Sequence, residues 1–75
     1  MSAFVVTFHT HLSAMLSCQA LREAGVEARM APVPRSLSSS CGTCVRYEAD
    51  GPRADLLDRD ADTVYVLRGG AYAPV

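Results

Sequence analysis

The stretch of this sequence with the highest density of reactive side chains is centred on two cysteines, Cys41 and Cys44. Three consecutive serines, residues 38–40, precede Cys41, and Gly42 follows it. A cysteine acts as a nucleophile in its thiolate form, which hydroxyl groups, loop amides and nearby cations stabilise. The stretch therefore predicts a thiol site with Cys41 as its nucleophile.

Four residues around Cys41 are candidates for stabilising a charged group on its sulfur: Arg35, Ser39, Ser40 and Gly42. An arginine beside a run of serines can bind an anion together with backbone N–H groups, and glycine lets the backbone approach a bound group closely. The alternative interpretation of Cys41 is a buried and inert side chain. Its position at the end of a loop favours exposure.

Cys44 follows Cys41 at the Cys-x-x-Cys spacing of thiol redox proteins. In those proteins the motif lies at the start of a helix, whereas strand-forming residues follow Cys44 in this sequence. Residues three apart on an extended strand point to opposite faces and lie about 10 Å apart, too far for a disulfide unless the chain turns at Gly42. We interpret Cys44 as a bystander on the open face of a sheet or as a resolving thiol, with a redox pair as the alternative.

Two histidines, His9 and His11, are the other candidates for chemistry, and His9 is a candidate proton partner of Cys41. A structural zinc site needs four ligands, of which a single Cys-x-x-Cys supplies two. The histidines could complete a set of two cysteines and two histidines, so a zinc-binding protein is a further alternative. The interpretation we favour has no metal and no cofactor.

Composition indicates one small domain of 75 residues, of which 49% are hydrophobic. The formal net charge is −1, with seven arginines and no lysine, which excludes non-specific nucleic-acid binding through a basic surface. We expect no membrane span, because no apolar run approaches about 18 residues, and no signal peptide. A cytoplasmic location is expected, where cysteines stay reduced.

Hydrophobic periodicity predicts two helices, at 12–24 and 53–60, and four strands, at 4–8, 26–31, 43–49 and 63–67. Cys18 falls on the apolar flank of the first helix, and Gly25 is placed to end that helix. The order β-α-β-β-α-β predicts a ferredoxin-like α+β fold, a four-stranded antiparallel sheet with both helices on one face. We expect a single domain over 1–68 and a flexible tail over 69–75.

In that topology the connection after the first strand and the loop between the second and third strands lie at one edge of the sheet. His9 and His11 are therefore expected near Cys41. Four aspartates near the C-terminal end lack the glycine and the terminal glutamate of a calcium loop. We interpret them as a solvated face: Asp55, Asp58, Asp60 and Asp62.

Three short motifs resemble the selenium/sulfur carrier-like family DUF3343. They are Phe-His-Thr at residues 8–10, Pro-Val-Pro-Arg at 32–35 and Ser-Ser-Ser-Cys-Gly at 38–42. The characteristic cysteine of the family matches Cys41, whereas Cys44 and Cys18 match no position with a role in that pattern. The resemblance implies a thiol that carries sulfur or selenium.

Together, the loop and the resemblance predict a small carrier that accepts sulfane sulfur or selenium on Cys41 as a persulfide or perselenide. Its partners would be a donor such as a cysteine desulfurase and an acceptor enzyme. We expect an accessory carrier rather than a stand-alone enzyme. The competing class is a non-catalytic interaction or regulatory module whose thiols are incidental.

A homodimer is the predicted assembly. With both helices on one side, the opposite face of the sheet should display Val5, Thr7, Arg29, Cys44, Arg46 and Glu48. A small domain rich in hydrophobic residues is stabilised when such a face is covered. We expect a dimer that hides part of the sheet and leaves residues 38–42 accessible.

Overall fold

The computed structural model describes residues 1–37, 39 and 41–75. Within that range, five strands form one antiparallel sheet in the order β2-β3-β1-β4-β5, and one α-helix packs on it. The elements are β1 (Ser2–Phe8), α1 (His11–Glu23), β2 (Glu27–Pro32), β3 (Thr43–Ala49), β4 (Ala61–Arg68) and β5 (Ala71–Pro74).

The expected α+β class with an antiparallel sheet is confirmed, but the ferredoxin-like detail is not. Among the described residues the sheet has five strands instead of four, and a single 3₁₀ turn, Ala54–Leu56, stands where a second helix was expected. Strand β3 runs antiparallel to both β1 and β2. The ends of β1 and β2 and the start of β3 therefore lie at one edge of the sheet, which we call the loop edge.

Helix α1 has defined signals at both ends. Thr10 is its N-cap and accepts a hydrogen bond from the Ser13 N–H at 3.2 Å. At the other end Gly25 adopts φ 85°, and the Val26 N–H reaches the Leu21 carbonyl at 2.9 Å, the pairing of a Schellman cap. The predicted stop at Gly25 is thus confirmed. With 13 residues, α1 is too short to cross a membrane, and no other α-helix occurs in the described residues.

The buried face of α1 is made mostly of small side chains, with Leu21 as its one large residue. Ser13, Ala14, Ser17, Cys18 and Leu21 are buried, so the expected core position of Cys18 is confirmed. Three large apolar side chains instead face solvent: Leu12, Met15 and Leu16. The helix can lie close to the sheet because its inner surface carries few bulky groups.

The region predicted as a second helix, 53–60, cannot continue one. Arg53 lies in the left-handed region at φ 51°, and Leu57 is extended at ψ 143°. After them the Asp58 carboxylate accepts a hydrogen bond from the Asp60 N–H at 2.9 Å. Short acidic side chains that bond the nearby backbone in this way compete with helix formation.

Residues 71–74, expected within a flexible tail, form strand β5 instead. Gly69 and Gly70 have φ 57° and 82°, and Arg68 pairs with Ala71 across them. Two consecutive positive φ values are those of a type I′ hairpin turn, for which Gly-Gly is a favoured sequence. The chain therefore stays ordered in the sheet beyond residue 68.

The core lies between α1 and the sheet. Phe4, Val6 and Phe8 of β1 point into it, and the rings of Phe4 and Tyr47 stack with centroids 5.3 Å apart. The Tyr47 hydroxyl donates to the Pro52 carbonyl, and burial raises the pKa of Tyr47 to about 12. This core holds β1 and β3, the strands that lead to the loop edge.

The side of the sheet opposite α1, which we call the back face, differs in part from the expectation. Arg29, Arg46 and Glu48 are exposed there as expected. Val5, Thr7 and Cys44 share that face but are buried. Val5 is flanked across the strands by Arg46 and Tyr65, and side chains of that length shield a neighbour on a central strand.

Candidate functional site

The connection from β2 to β3, residues 33–42, begins and ends at the loop edge, and we call it the thiol loop. Its base is closed by a hydrogen bond from the Val33 N–H to the Gly42 carbonyl at 3.1 Å. A turn follows, in which the Leu37 N–H donates to the Pro34 carbonyl at 3.0 Å. Arg35 lies in this turn and is exposed. Two of the serines, Ser38 and the candidate Ser40, lie outside the described residues.

Ser39 joins this loop to the end of β1. Its hydroxyl donates to the Phe8 carbonyl at 3.0 Å and accepts from the Cys41 N–H at 3.3 Å. One hydroxyl therefore connects the backbone next to His9 with the backbone of Cys41, although about thirty residues separate them in the chain. The backbones of these two segments therefore lie close together at the loop edge, as expected.

Gly42 makes the bend between Cys41 and β3. Its φ is 76°, and apart from its two chain neighbours no residue has an atom within 4 Å of the position that a Cβ would occupy. A residue with a side chain is strained at such a φ whatever the space around it. The chain therefore bends between Cys41 and Cys44, and both cysteines are free thiols.

The three cysteines differ in accessibility, and Cys41 is the one that is not buried. Cys18 is 4% exposed in the core, and Cys44 is fully buried. The Cys44 thiol donates to the Pro32 carbonyl at 3.6 Å. Burial raises the pKa of Cys44, and the positive charge of Arg46 offsets part of that effect. Cys44 therefore favours the protonated, less nucleophilic form.

His9 lies just beyond β1 and is exposed. Its Nε2 is 3.9 Å from an Asp62 carboxylate oxygen, a pair that carries opposite charges when the imidazole is protonated. His11 is the first residue of α1 and is also exposed. The Phe8 carbonyl, which accepts the hydrogen bond from Ser39, belongs to the residue just before His9. The backbone at His9 therefore lies next to the thiol loop.

Asp58 and Asp60 are half-buried, and they make contacts with α1 that the interpretation of the aspartates as a solvated face did not include. One Asp60 carboxylate oxygen accepts from the Ser13 hydroxyl at 2.7 Å, from the Thr10 N–H at 3.0 Å and from the Thr10 hydroxyl at 3.2 Å. The Asp58 N–H donates to the Ser17 hydroxyl at 2.9 Å. These bonds fasten the segment before β4 to the first turns of α1.

The Asp60 contacts also have an electrostatic consequence. The hydrogen bond from Ser13, followed by those from Thr10 and the charge of His9, lowers the pKa of the Asp60 carboxyl. A carboxylate at the start of a helix is also favoured by the helix dipole. Asp60 thus supplies the negative group that the first turn of α1 itself lacks. Sequence reasoning missed this role because the two segments are about fifty residues apart.

The part of the chain that the structure describes does not support a metal site formed by the cysteines and histidines together. No group of three or more histidine, cysteine or acidic side chains is arranged there to hold one ion. For the zinc alternative in particular, Cys44 is buried on the back face, whereas His9 and His11 are exposed.

A family model described as "Putative Se/S carrier protein-like" matches residues 3–56 of the chain. The matched segment covers β1 from its second residue, and all of α1, β2, the thiol loop and β3. It ends before β4, so the Asp58 and Asp60 contacts lie outside it. No curated protein and no solved structure matches the chain.

Proposed function

Because the chain belongs to the Se/S carrier protein-like family, whose model matches more than half of it, we propose that it is a small thiol carrier. In this proposal Cys41 accepts sulfane sulfur or selenium as a persulfide or perselenide and hands it on. The donor is a persulfide-bearing protein such as a cysteine desulfurase, and the acceptor is an enzyme that consumes the sulfur or selenium. The place of action is the cytoplasm, where thiols stay reduced.

The accessibility of Cys41 is the observation that carries the proposal. It is the one cysteine that is not buried, and it lies in a loop at the edge of the sheet. A carrier thiol must meet the thiols of two other proteins in turn, so it needs access more than an enclosed pocket. The bond between its N–H and Ser39 holds the backbone of Cys41 while the side chain stays reachable.

The uptake step is a thiol exchange. The Cys41 thiolate attacks the terminal sulfur of a donor persulfide, and a new S–S bond forms as the donor S–S bond breaks. The electron pair of the broken bond leaves with the donor as its thiolate, and the proton of the terminal sulfur travels with that atom. No external oxidant or reductant is needed, and selenium follows the same course in place of the terminal sulfur.

The neighbouring residues have distinct parts in this proposal. Arg35, Ser40 and Gly42 stabilise the charged sulfur through a side chain or a backbone group, and His9 serves as proton partner. Ser39 acts as a positioning residue, because its hydroxyl proton is engaged by the Phe8 carbonyl. Cys44 has no part in uptake, since burial keeps it protonated.

A docking module with incidental thiols is the second candidate function. It is favoured by the solvent-facing side chains of Leu12, Met15 and Leu16 on α1, which follow the spacing of one helix surface. An apolar helix surface of this kind is typical of a protein-binding face. The two functions differ in what they require of Cys41.

Alkylation kinetics separates these two functions. The reaction of each cysteine with iodoacetamide is followed by peptide mass mapping, beside a synthetic peptide that spans residues 35–46. A carrier predicts that Cys41 reacts faster than the cysteines of the peptide, and that Cys18 and Cys44 react only after denaturation. A rate for Cys41 no higher than in the free peptide would show that the fold does not activate the thiol, and would favour the docking module.

A further inference from the structure

The back face carries charges in an unusual arrangement. On β2 and β3, Arg29 lies directly opposite Arg46, and Glu27 lies directly opposite Glu48. All four side chains are exposed. Directly opposed residues of an antiparallel pair share a face, and positions two apart along a strand share it as well. The back face therefore shows a row of two arginines beside a row of two glutamates.

Each of these rows is unfavourable in a single chain. Like charges directly opposite each other on neighbouring strands destabilise a sheet. The described residues contain two ion pairs, His9–Asp62 and Arg53–Asp55, and neither involves the two rows. The charges of both rows are therefore free to pair with a surface outside the chain.

We infer that the surface that covers the back face is that of a second copy of this chain, packed sheet to sheet about a two-fold axis. The two rows are two residues apart along the strands, about 7 Å. The axis lies in the plane of the interface, midway between the two rows and perpendicular to the strands. A half-turn about it places the arginine row of each copy over the glutamate row of the other. Arg46 then faces the second copy's glutamate of position 48, and Arg29 that of position 27.

The shape and chemistry of the back face suit this contact. The molecule measures 29 × 28 × 17 Å, a slab with two broad faces, and one such face can supply the roughly 600–800 Å² per partner of a stable interface. A depression of about 290 Å³ lies between the charged rows and Leu67 and Tyr72. These apolar side chains at its margin gain from being covered. Such a contact is isologous, so it closes with two copies and leaves no face for further growth.

This inference is independent of the proposed carrier function, since it uses neither Cys41 nor its loop. Its test is a charge-reversal mixing experiment, read out as molar mass by light scattering at high micromolar concentration. The wild type should have twice the monomer mass of 8.0 kDa. Arg46→Glu and Glu48→Arg should each weaken the dimer, with a rise in Kd of about tenfold or more.

An equimolar mixture of the two variants should restore the dimer, because the reversed charge of one then faces the reversed charge of the other. The double variant Arg46→Glu with Glu48→Arg should also be a dimer, which keeps the test valid if one single variant fails to fold. Arg59→Glu reverses a charge outside the two rows and should leave the mass unchanged. A wild-type mass of 8.0 kDa, or a mixture and a double variant that remain monomeric, would overturn the inference.

Discussion

The Ser39 hydroxyl donates a hydrogen bond to the Phe8 carbonyl, 3.0 Å away, and accepts one from the Cys41 N–H. A single side chain thereby fastens the thiol loop to the end of a central strand. Since Phe8 is fully buried in the core, this link ties the Cys41 backbone to a core strand.

Removal of this link is the first test. Ser39→Ala should lower the free energy of unfolding by about 1 kcal/mol, the usual net contribution of such a bond. It should also bring the alkylation rate of Cys41 close to that in the free peptide, because the loop is no longer held. Ser36→Ala, an exposed serine of the same loop, is the control. If both variants match the wild type in stability and rate, the link has no influence on the site.

The bend at Gly42 gives a second prediction. Gly42→Ala should destabilise the protein by roughly 1–2 kcal/mol, because an alanine is strained at positive φ. The surrounding space is open, so no clash contributes. Gly51→Ala is a matched control, since Gly51 also has open space but lacks a positive φ. Chemical denaturation measures both, and equal stabilities of the two variants would contradict the assignment of strain at Gly42.

The contact between Ser17 and Asp58 gives a third prediction. Ser17 is 1% exposed and accepts from the Asp58 N–H, so Ser17→Ala leaves a backbone donor without its partner. The expected loss of stability is about 1–3 kcal/mol. Gln19→Ala, at an exposed position of the same helix, should change stability little. Urea titration of both variants checks this, and a Ser17 variant as stable as the Gln19 variant would argue against the contact.

Acid sensitivity is the fourth prediction. The Ser13 hydroxyl and the other groups around Asp60 hold its pKa below the ordinary value, which is about 3.9 for an unfolded chain. A carboxyl whose pKa is lower in the folded state stabilises the fold above the unfolded-state pKa, and this stabilisation is lost as pH falls through the folded-state pKa.

The matching measurement is Tm as a function of pH, from neutral conditions down to about pH 2–3. Asp60→Asn should have a lower Tm than the wild type at neutral pH, and the two curves should converge in acid. Asp55→Asn, which removes a carboxylate paired only with Arg53 at the surface, should run parallel to the wild type. A constant separation between the Asp60→Asn and wild-type curves would refute the role of the ionised carboxylate.

Elements with local signals were predicted well from the sequence. The alternation at 43–49 gives β3 the bounds that the structure has, and Gly25 ends α1 as expected. Strand β5 was missed, although its turn has a local signal. The sequence Gly69-Gly70 is a favoured two-residue hairpin turn. The expected second helix did not form because the helix propensity of Leu56 and Leu57 was outweighed by Asp58, whose carboxylate bonds the nearby backbone.

The candidate site was predictable only in part. The composition of the thiol loop indicates Cys41, and strand order indicates that β1 ends beside it. The role of Asp60 depends on a contact across about fifty residues, and the burial of Cys44 depends on its neighbours on the back face. Neither has a local pattern, because both arise from tertiary packing rather than from the residues next in the chain.

The intact mass of the protein after incubation with a cysteine desulfurase and cysteine tests the central claim most directly. The wild type and Cys44→Ser should each gain the mass of one sulfur atom, and the gain should disappear on reduction. Cys41→Ser should gain none, although it keeps both buried cysteines. Equal loading of Cys41→Ser and the wild type would contradict the account, and so would a wild type that stays at its starting mass.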